Sequence, residues 1–542
     1  MAGFQAVADA YVFDPNDPEA TTGVDPIDGE VTKSKSDAGR LATLQTILDW
    51  SEEPFNGEVT DPAVISTVDD YDLPSRGVHA EFLETLQTLK SQISVYMEYA
   101  NKHLAAGEDE TDLTLFSTRE LHIFQTYSGG LRLNADKTEW IYGDYDLICS
   151  VVNNAYEMKE WLMEQGAVPT TGEATNTLIG CLWQRINRFD GGVVHGEMVS
   201  GNWGAYLKVP EQTMLNANEK NQVMLRTTAK ELIVDESGRV TGVKAERYDG
   251  TQVIMHATKG VVLATGGYAA NIQMVTETNT YWSPDDVDMT IKTTNRSSLK
   301  GDGIVMAQAV GAGVTGMGWT QLMPLGWVDN GNLSLGAGEN VIFIASANRD
   351  NAGQRYVDET AERDVLSQAA FDNGENGVYL ELSNGEGFTA EDNVEGRIYY
   401  GDLDTIAEMT GLDKAVLEKT ITDYDAHVIG TATEPLVPAK SSFRGTIGSC
   451  DQDENGKYLP ETYRIGTLKL RYQKPSTHHT MGGVMVDTDR HVLAEDGSVI
   501  AGLYAAGEVT GGIFAGNRLG GNAIVEIVVS GRIAGTSAAQ GK

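Results

Sequence analysis

The part of this sequence that most constrains its fold is a glycine-rich stretch near the C-terminus, residues 502–535, which reads GLYAAGEVTGGIFAGNRLGGNAIVEIVVSGRIAG. Its apolar start predicts a buried strand, and a carboxylate, Glu508, follows that strand directly. Five glycines and one arginine, Arg518, lie between Glu508 and Asn522, where the pattern predicts that a helix begins. Tight packing of a helix on a strand would explain the glycines but neither the arginine nor the carboxylate.

Each of these features suits a flat ring system such as a flavin. Glycine lets the backbone approach such a ring closely. A carboxylate that follows a strand can accept hydrogen bonds from both hydroxyls of a ribityl or ribose group. A helix N-terminus offers free N–H groups and a positive dipole end, which favour the negative charge that a reduced flavin carries at N1 and O2. The stretch therefore predicts one side of a flavin site.

A second glycine pair follows another short apolar run, in GVVLATGGYAAN at residues 260–271. Residues 261–264 suit a strand buried on both faces, with a ligand near its carboxyl end beside Gly266 and Gly267. Two glycines after a strand are also a common structural turn. This motif alone therefore does not distinguish the two interpretations.

Composition excludes several classes of partner. A net charge of −38 argues against nucleic acid and against an anionic membrane surface, and it is most simply a solubility feature. No run approaches 18 apolar residues, so no membrane span is expected. The three cysteines are far apart and the histidines show no metal-binding spacing, which disfavours a disulfide framework, haem and metal. An anionic substrate would need a local pocket of cations.

Periodicity divides the 542 residues into regions, and that length predicts two or three domains. Residues 1–75 look polar and irregular, and helices are predicted at about residues 82–102 and 147–165, the second ending on Gly166. An antiparallel meander follows at residues 223–257. Residues 275–475, ending at Pro475, mix helices and strands as a separate α+β domain would.

Several segments together resemble the flavin-containing fumarate reductases and their relatives that reduce other unsaturated acids. The resemblance covers roughly residues 145–540 and is loose before residue 140. The segments that carry it are HHTMGGVMVD (478–487), AAGEVTGG (505–512), GNRLGGNAI (516–524), ATGGYAANIQMV (264–275), KGDGIVMAQAVGA (300–312) and GQRYVDETAERD (353–364).

The resemblance implies a role for individual residues. Arg363 matches the family's proton donor, His478 a substrate-binding histidine and Arg518 the arginine that pairs with a substrate carboxylate. FAD is the implied cofactor, with no metal. The residues that match cofactor-binding positions are Ala264, Thr265, Gly266, Gly267, Asp302, His479, Glu508, Ala523 and Ile524.

The chemistry of these residue types agrees with the resemblance. Reduction of an enoate adds hydride to the carbon β to the carboxylate and a proton to the α carbon. A guanidinium can hold a carboxylate with two parallel hydrogen bonds and stabilise enolate-like charge. An arginine acts as an acid only with difficulty, because its ordinary pKa exceeds 12. Arg363 would need neighbours such as Glu339 or Glu362 to return its proton.

The chain departs from the family pattern at its start. The dinucleotide fingerprint GxGxxG, with an acidic residue about 20 positions later, is absent there. MAGFQAVADAY resembles what should follow that segment, so Met1 is interpreted as an internal methionine. We therefore expect this sequence alone to bind FAD weakly or not at all, because the N–H groups that neutralise the pyrophosphate are missing.

Two further departures concern the substrate. Met323-Pro324 stands where fumarate reductases carry a histidine before proline, so a cationic contact to a second carboxylate is lost. Glu339 matches the family's relay glutamate, but the relay arginine is replaced by Ile342. With Trp319 and Trp327 nearby in sequence, Met323 predicts a substrate-binding position for a monocarboxylate enoate with a larger, planar substituent rather than fumarate.

The predicted fold class is α/β: an FAD-binding Rossmann-like domain, lacking its N-terminal pyrophosphate-binding segment, with an inserted α+β capping domain. The FAD-binding domain is placed at residues 1–321 and 479–542 and the cap at 322–478. Expected partners are a small unsaturated acid and an external electron donor, a reduced carrier or a cytochrome. A ketosteroid-type FAD dehydrogenase or reductase and a non-catalytic truncated flavoprotein remain alternatives.

Overall fold

The computed structural model describes residues 3–65, 68–170, 177–334, 340–443, 445–454 and 456–541. In the first part, apolar side chains recur at helical spacing, as Leu86, Leu89 and Ile93 do, and they face a shared core. The elements of this part are β1 (Phe4–Gln5), β2 (Thr22–Asp25), β3 (Gly29–Thr32), α1 (Arg40–Asp49), α2 (Leu83–Ala105), α3 (Arg119–Gly130), β4 (Arg132–Leu133), β5 (Trp140–Ile141), α4 (Tyr145–Val152) and α5 (Ala155–Glu164).

Two predictions for this part need correction. The helix predicted at residues 147–165 is two helices, α4 and α5, with a break at Asn153 and Asn154, where the Asn154 side chain donates to the Ser150 carbonyl. Such asparagine bonds compete with the helical backbone pattern. The segment 1–75, predicted to be irregular, contains the β2–β3 hairpin and α1.

The next part holds the predicted meander, which the structure confirms. Strand β10 pairs antiparallel with β11, and β11 with β12, through the turns at residues 235–239 and 248–251. The elements of this part are β6 (Ala167–Pro169), β7 (Ile186–Asn187), β8 (Phe189–Val194), β9 (Glu197–Ser200), α6 (Gly201–Trp203), a π-helical turn (Gly204–Lys208), α7 (Val209–Ala217), β10 (Thr227–Val234), β11 (Val240–Arg247) and β12 (Gln252–His256).

A five-stranded antiparallel sheet dominates the following part. Its strand order is β15-β19-β17-β16, with β18 also paired to β19. The elements are β13 (Val261–Leu263), α8 (Ile272–Thr278), α9 (Asp302–Gln308), β14 (Val314–Thr315), β15 (Thr320–Trp327), β16 (Ile342–Ile344), α10 (Arg363–Asn373), β17 (Tyr379–Asn384), β18 (Ile398–Gly401), α11 (Leu403–Thr410), α12 (Lys414–Ile429) and β19 (Leu468–Thr480).

Strand β19 runs through Pro475, where the sequence predicted that the region ends. The register of β15 against β19 shifts between Met323 and Gly326, opposite this proline. Proline has no N–H to give to a sheet, and a register shift is where a strand can accommodate it. The boundary placed at Pro475 is therefore wrong, because β19 continues to Thr480.

The last elements of the chain pack beside β13, the strand that precedes the ATGG motif. They are β20 (Gly483–Val484), β21 (His491–Leu493), β22 (Val499–Ala505) and α13 (Asn522–Gln540). Strand β13 pairs parallel with β22, which pairs antiparallel with β21. Val262 in β13 is 37% exposed, so the prediction of a strand buried on both faces is wrong here.

The helix predicted to begin at Asn522 does begin there. Among the residues described, no helix combines the length and the apolarity that crossing a membrane requires.

Strand pairing brings segments together that are distant in sequence: Gln321 of β15 lies opposite His479 of β19. Helix α10 packs against β15, which brings its first residue, Arg363, to the same place.

Candidate active site

The side chains of Arg363, Arg518 and Gln321 meet at one oxygen atom. Gln321 Oε1 accepts a hydrogen bond from Arg363 Nη1 at 3.1 Å and another from Arg518 Nη2 at 2.9 Å. All three side chains are buried. Two guanidinium groups predicted to act together are thus brought together, although they are 155 positions apart in sequence.

Among the described residues, no carboxylate neutralises the positive charge of this pair. Of the residues that the structure describes, no carboxylate lies at ion-pair distance from Arg363 or Arg518. Burial, and then Arg518, holds the pKa of Arg363 well below its ordinary value. Burial lowers the pKa of Arg518 to about 10, although Glu508 acts in the opposite direction from farther away. Arg518 Nε is also buried without a hydrogen-bond partner among these residues.

Arg363 is held at the start of α10 by the segment before Cys181. Its Nε donates to the Ile179 carbonyl at 3.2 Å. Gly180 has φ +72°, and a Cβ there would lie 2.8 Å from Arg363 Cγ. Glycine is required at this position both for its backbone conformation and for the room that the arginine takes.

The two adjacent histidines of β19 have different partners. His478 is half-buried, and its Nδ1 lies 2.7 Å from Thr294 Oγ1. His479 is buried, with Nδ1 3.3 Å from Glu508 Oε2. Burial lowers the pKa of both, strongly for His478, where Arg363 and Arg518 add to the effect. Both imidazoles are therefore harder to protonate than an exposed histidine.

Glu508 lies between the histidine and the ATGG loop. Its Oε1 accepts from the Thr480 backbone N–H at 2.9 Å and from its hydroxyl at 3.1 Å. Burial alone would raise the pKa of Glu508, but His479 and Thr480 bring it below its ordinary value. A Cβ at Gly267 would lie 2.0 Å from Thr480 Oγ1 and 2.5 Å from Glu508 Oε1, so only glycine fits beside this carboxylate.

The described residues fit a flavin beside this carboxylate. Helix α13 starts after Gly521, at φ 93°, and its first turn has no acidic side chain and no side-chain cap. The Asn522 N–H donates to the Leu519 carbonyl, and no acidic side chain of the first turn opposes the positive end of the helix. Ala523 and Ile524 are partly exposed there. Ala264 and Thr265 are exposed after β13, and Gly266 has φ +74°. Bare backbone and an unopposed helix end suit a flat, electron-rich ring.

The remaining predicted site residues are dispersed. Asp302 is exposed at the first position of α9. Met323 is buried in an apolar cluster with Leu325 and Phe343. Trp327 lies under the Arg397 guanidinium. Glu339 lies outside the described residues.

Two further positions from the sequence analysis also have clear locations. Ile342 is in an apolar core with Ile344 and Leu380, and Trp319 packs on Tyr281. Among the described side chains, no group of His, Cys, Asp and Glu is placed to hold a metal ion.

A cavity of about 980 Å³ lies on the other side of the segment that holds Arg363. Ile179 and Cys181 line it, and so does the pair Glu362 and Asp364 that flanks Arg363 in sequence. Asp364 forms a buried ion pair with Arg132, whose Nε lies 2.6 Å from Asp364 Oδ2. The apolar residues of its wall include Leu325, Val341, Phe343, Tyr356 and Val365.

Sequence reasoning did not find Gln321. The available signal was a glutamine inside TQLMPLGW, a strand whose residues are all buried. Thr294, which contacts His478, and Gly180, which makes room for Arg363, gave no signal, because their role depends on segments far away in sequence.

The residues of this site lie in a part of the chain that is similar to known proteins. A sequence profile for a family described as "FAD binding domain" matches residues 105–524. An NADH:acrylate oxidoreductase of Vibrio harveyi is 37% identical over 476 residues, which are 84% of this chain and 42% of that protein. A urocanate reductase of Eggerthella lenta is 30% identical over 412 residues, 73% of this chain and 62% of that protein. The chain thus spans less than two thirds of these relatives.

Among solved structures, the open conformation of a flavocytochrome c3 fumarate reductase matches with a TM-score of 0.54 at 26% identity. The match covers 81% of this chain and 69% of that one. A 3-ketosteroid Δ4-(5α)-dehydrogenase from Rhodococcus jostii matches with a TM-score of 0.51 at 21% identity, which is a likeness of fold alone. These likenesses confirm the prediction of an FAD-binding fold with mixed helices and sheets.

Proposed function

The chain belongs to the FAD-binding flavoproteins of the fumarate reductase type, and from that premise we propose that it reduces a carbon–carbon double bond conjugated to a carboxylate. The observation that carries the proposal is the pair Arg363 and Arg518, buried at one neutral amide oxygen without a described carboxylate partner. Two buried cations without a carboxylate partner among the described residues call for an anionic ligand. A neutral steroid would leave them unpaired.

In the proposed reaction, Arg518 and His478 bind the substrate carboxylate and Arg363 gives a proton to the α carbon. FAD is the cofactor, and in its reduced form it supplies the hydride that the β carbon takes up. The depressed pKa of Arg363 eases the transfer, because the guanidinium loses its proton more readily than an exposed one would. Arg518 holds the enolate-like charge as it develops. His479 and Glu508 are proposed to contact the flavin.

The proton that Arg363 gives up must return from solvent. We propose that Glu362, together with Glu339, returns the proton to Arg363. Glu362 lines the cavity, and its Oε1 lies 3.9 Å from Arg132 Nη2, which belongs to the buried pair with Asp364. The cavity would then supply the water from which the proton comes.

We also propose the division of the molecule that the reaction needs. Residues 322–478, which include most of the five-stranded sheet and α10, α11 and α12, would form a cap. Residues 1–321 and 479–542 would form a Rossmann-like FAD-binding domain. Arg363 would then approach the flavin from the cap and Arg518 from the FAD-binding domain, with Gln321 at the boundary between the two. The electron donor would be an external reduced carrier or cytochrome.

The substrate class follows from the same residues. We propose a monocarboxylate enoate with a planar substituent, because Met323 is buried among apolar side chains where a histidine would have met a second carboxylate. The test is a competition assay on FAD-loaded, full-length enzyme with a reduced dye as donor, comparing fumarate with cinnamate-like and imidazole-acrylate-like acids. The aryl acrylates should be reduced fastest. Equal turnover of fumarate would reject this specificity, and turnover of a ketosteroid instead of any acid would reject the function.

A further inference from the structure

We propose that Gln321 is a positioning residue that holds the guanidinium groups of Arg363 and Arg518 together without cancelling their charge. The inference rests on the proposed function and adds to it a specificity-determining side chain that does not itself donate the proton. It is carried by the hydrogen bonds of one buried carboxamide.

That carboxamide uses its full capacity for hydrogen bonds. Its Nε2 donates to Asn517 Oδ1 and to the Arg518 carbonyl, both at 2.7 Å. Its Oε1 accepts from the two guanidiniums. Because a guanidinium has no acceptor, a flipped amide would set N–H groups against N–H groups, so the orientation of the amide is determined by its partners.

The amide is anchored on both sides of the site. Gln321 is in β15, opposite His479, and only 1% of its side chain is exposed. Asn517 Nδ2 donates to the Gly129 carbonyl at the end of α3, at 3.0 Å. This chain of bonds therefore ties β15 to the C-terminal loop and to α3, and it sets the position of each arginine relative to the other.

The neutrality of this side chain matters because of the charges that face it. Arg363 on α10 and Arg518 on the C-terminal loop face Gln321, and Glu508 lies farther away on the same loop. His478 and His479, both with lowered pKa values, lie on β19, and Cys181 lies in the segment before β7.

A carboxylate in place of the amide would form ion pairs with both arginines. It would neutralise the positive charge that a substrate carboxylate needs, and it would return the pKa of Arg363 toward its ordinary value. An apolar side chain would fail differently, because the two cations would lose their shared acceptor and could separate. An uncharged dipole with its negative end between the cations avoids both outcomes.

The test compares Gln321→Glu, Gln321→Met and the wild type as FAD-loaded proteins. The probe is 3-phenylpropanoate, a saturated monocarboxylate that cannot be reduced, and its binding is followed by the flavin absorbance from pH 5 to pH 9. At pH 8, Gln321→Glu should bind the probe roughly 100-fold more weakly than the wild type. The loss should diminish toward pH 5, as the new carboxyl group takes up a proton.

Gln321→Met should bind weakly at every pH, which keeps the test open if the charged variant does not fold. The matched control is Gln368→Glu, the same change on α10 at the cavity wall, and it should bind like the wild type. Tight binding by Gln321→Glu at pH 8, beside normal wild-type binding, would overturn the role of Gln321. Absence of probe binding and of enoate reduction in the wild type would instead overturn the proposed function.

Discussion

The residues that define this site are costly to bury. Arg363 and Arg518 are each 4% exposed, so their guanidinium groups have lost nearly all their water. Removing an ion from water costs several kcal/mol even after the protein relaxes, and here no described carboxylate compensates. The hydrogen bonds to Gln321 and to backbone carbonyls offset part of that cost. A carboxylate ligand would offset more, which is why the site favours an anion.

Replacement of Arg363 by lysine tests the proton donor. Arg363→Lys should lower turnover roughly 10²–10³-fold and leave substrate affinity nearly unchanged, because the lost contact acts chiefly in the transition state. Steady-state kinetics on the FAD-loaded protein measures both quantities. The control is Arg397→Lys, at a partly exposed arginine paired with Asp329, which should turn over normally. Near-normal turnover of Arg363→Lys would show that the proton comes from another group.

Replacement of Met323 tests the specificity. Met323→His should raise the turnover of fumarate relative to the best aryl acrylate about tenfold, since it restores a cationic contact worth about 1.4 kcal/mol to a second carboxylate. Met323→Leu conserves volume and polarity and should leave the ratio unchanged. The ratio is measured by competition between the two acids. An unchanged ratio in the histidine variant would place Met323 in the structural core only.

The packing of whole elements determines where the Gln321 and Arg363 side chains lie. Strand β15 supplies Gln321, and α10 packs on β15 so that Arg363, its first residue, lies at the same end. The sheet behind them is held by a buried cluster in which Glu359 accepts hydrogen bonds from Arg355 Nη2 at 2.8 Å and from the Phe343 backbone N–H at 3.1 Å. Lys440 Nζ lies 3.1 Å from the same carboxylate.

Removal of the Glu359 charge should unfold this part more easily. Glu359→Gln should lower the free energy of unfolding by about 3–5 kcal/mol at pH 7, because Arg355 and Lys440 are left buried without an anion. Burial alone would raise the pKa of Glu359, but Lys440 and Arg355 hold it below its ordinary value.

The pH dependence of that loss has a definite sign. A carboxyl whose pKa is depressed in the folded state stabilises fully above its unfolded pKa of about 4.3 and loses that contribution as pH falls through its folded pKa. Denaturant unfolding should therefore show a constant difference between Glu359→Gln and wild type above about pH 4.3, and a shrinking one below it. Glu408→Gln, on the exposed side of α11, should show no difference at any pH. A difference that grows toward low pH would contradict the ion-pair account.

At the scale of the whole molecule, a chain with a net charge of −38 holds two buried arginines that have no carboxylate partner among the described residues. The overall field opposes the approach of an anion, and burial strengthens the local attraction once the anion arrives. Arg518 follows β22, whereas Gln321 and Arg363 belong to β15 and α10. A ligand held by all three would therefore join separate parts of the chain.

A bound carboxylate should accordingly stabilise the whole protein. At about 100 times its dissociation constant, 3-phenylpropanoate should add about 2.7 kcal/mol to the free energy of unfolding. Thermal unfolding of the FAD-loaded protein measures this, with the neutral 3-phenylpropanamide as control ligand. Arg518→Met should abolish the stabilisation. Equal stabilisation by the amide would show that charge is not what the site recognises.

Much of this molecule could be predicted from local sequence. The start of α13 at Asn522 and the meander β10–β12 depend on neighbouring residues that set caps, turns and periodicity, so the chain itself encodes them. Resemblance then identified Arg363 and Arg518 as a pair. The break between α4 and α5 was missed because the Asn154 side chain competes for the Ser150 carbonyl, which periodicity does not detect.

Tertiary structure decided how those residues meet. Gln321 acquires its role only because β15 pairs with β19 and α10 packs on β15, and no local pattern encodes partners so far apart in sequence. The same holds for β19, which continues through Pro475 because a register shift accommodates the missing N–H group. The sequence by itself determined which charged groups the site contains, since their chemistry is local. The fold alone decided that a neutral amide would stand between them, because burial and long-range pairing are properties of the packed chain.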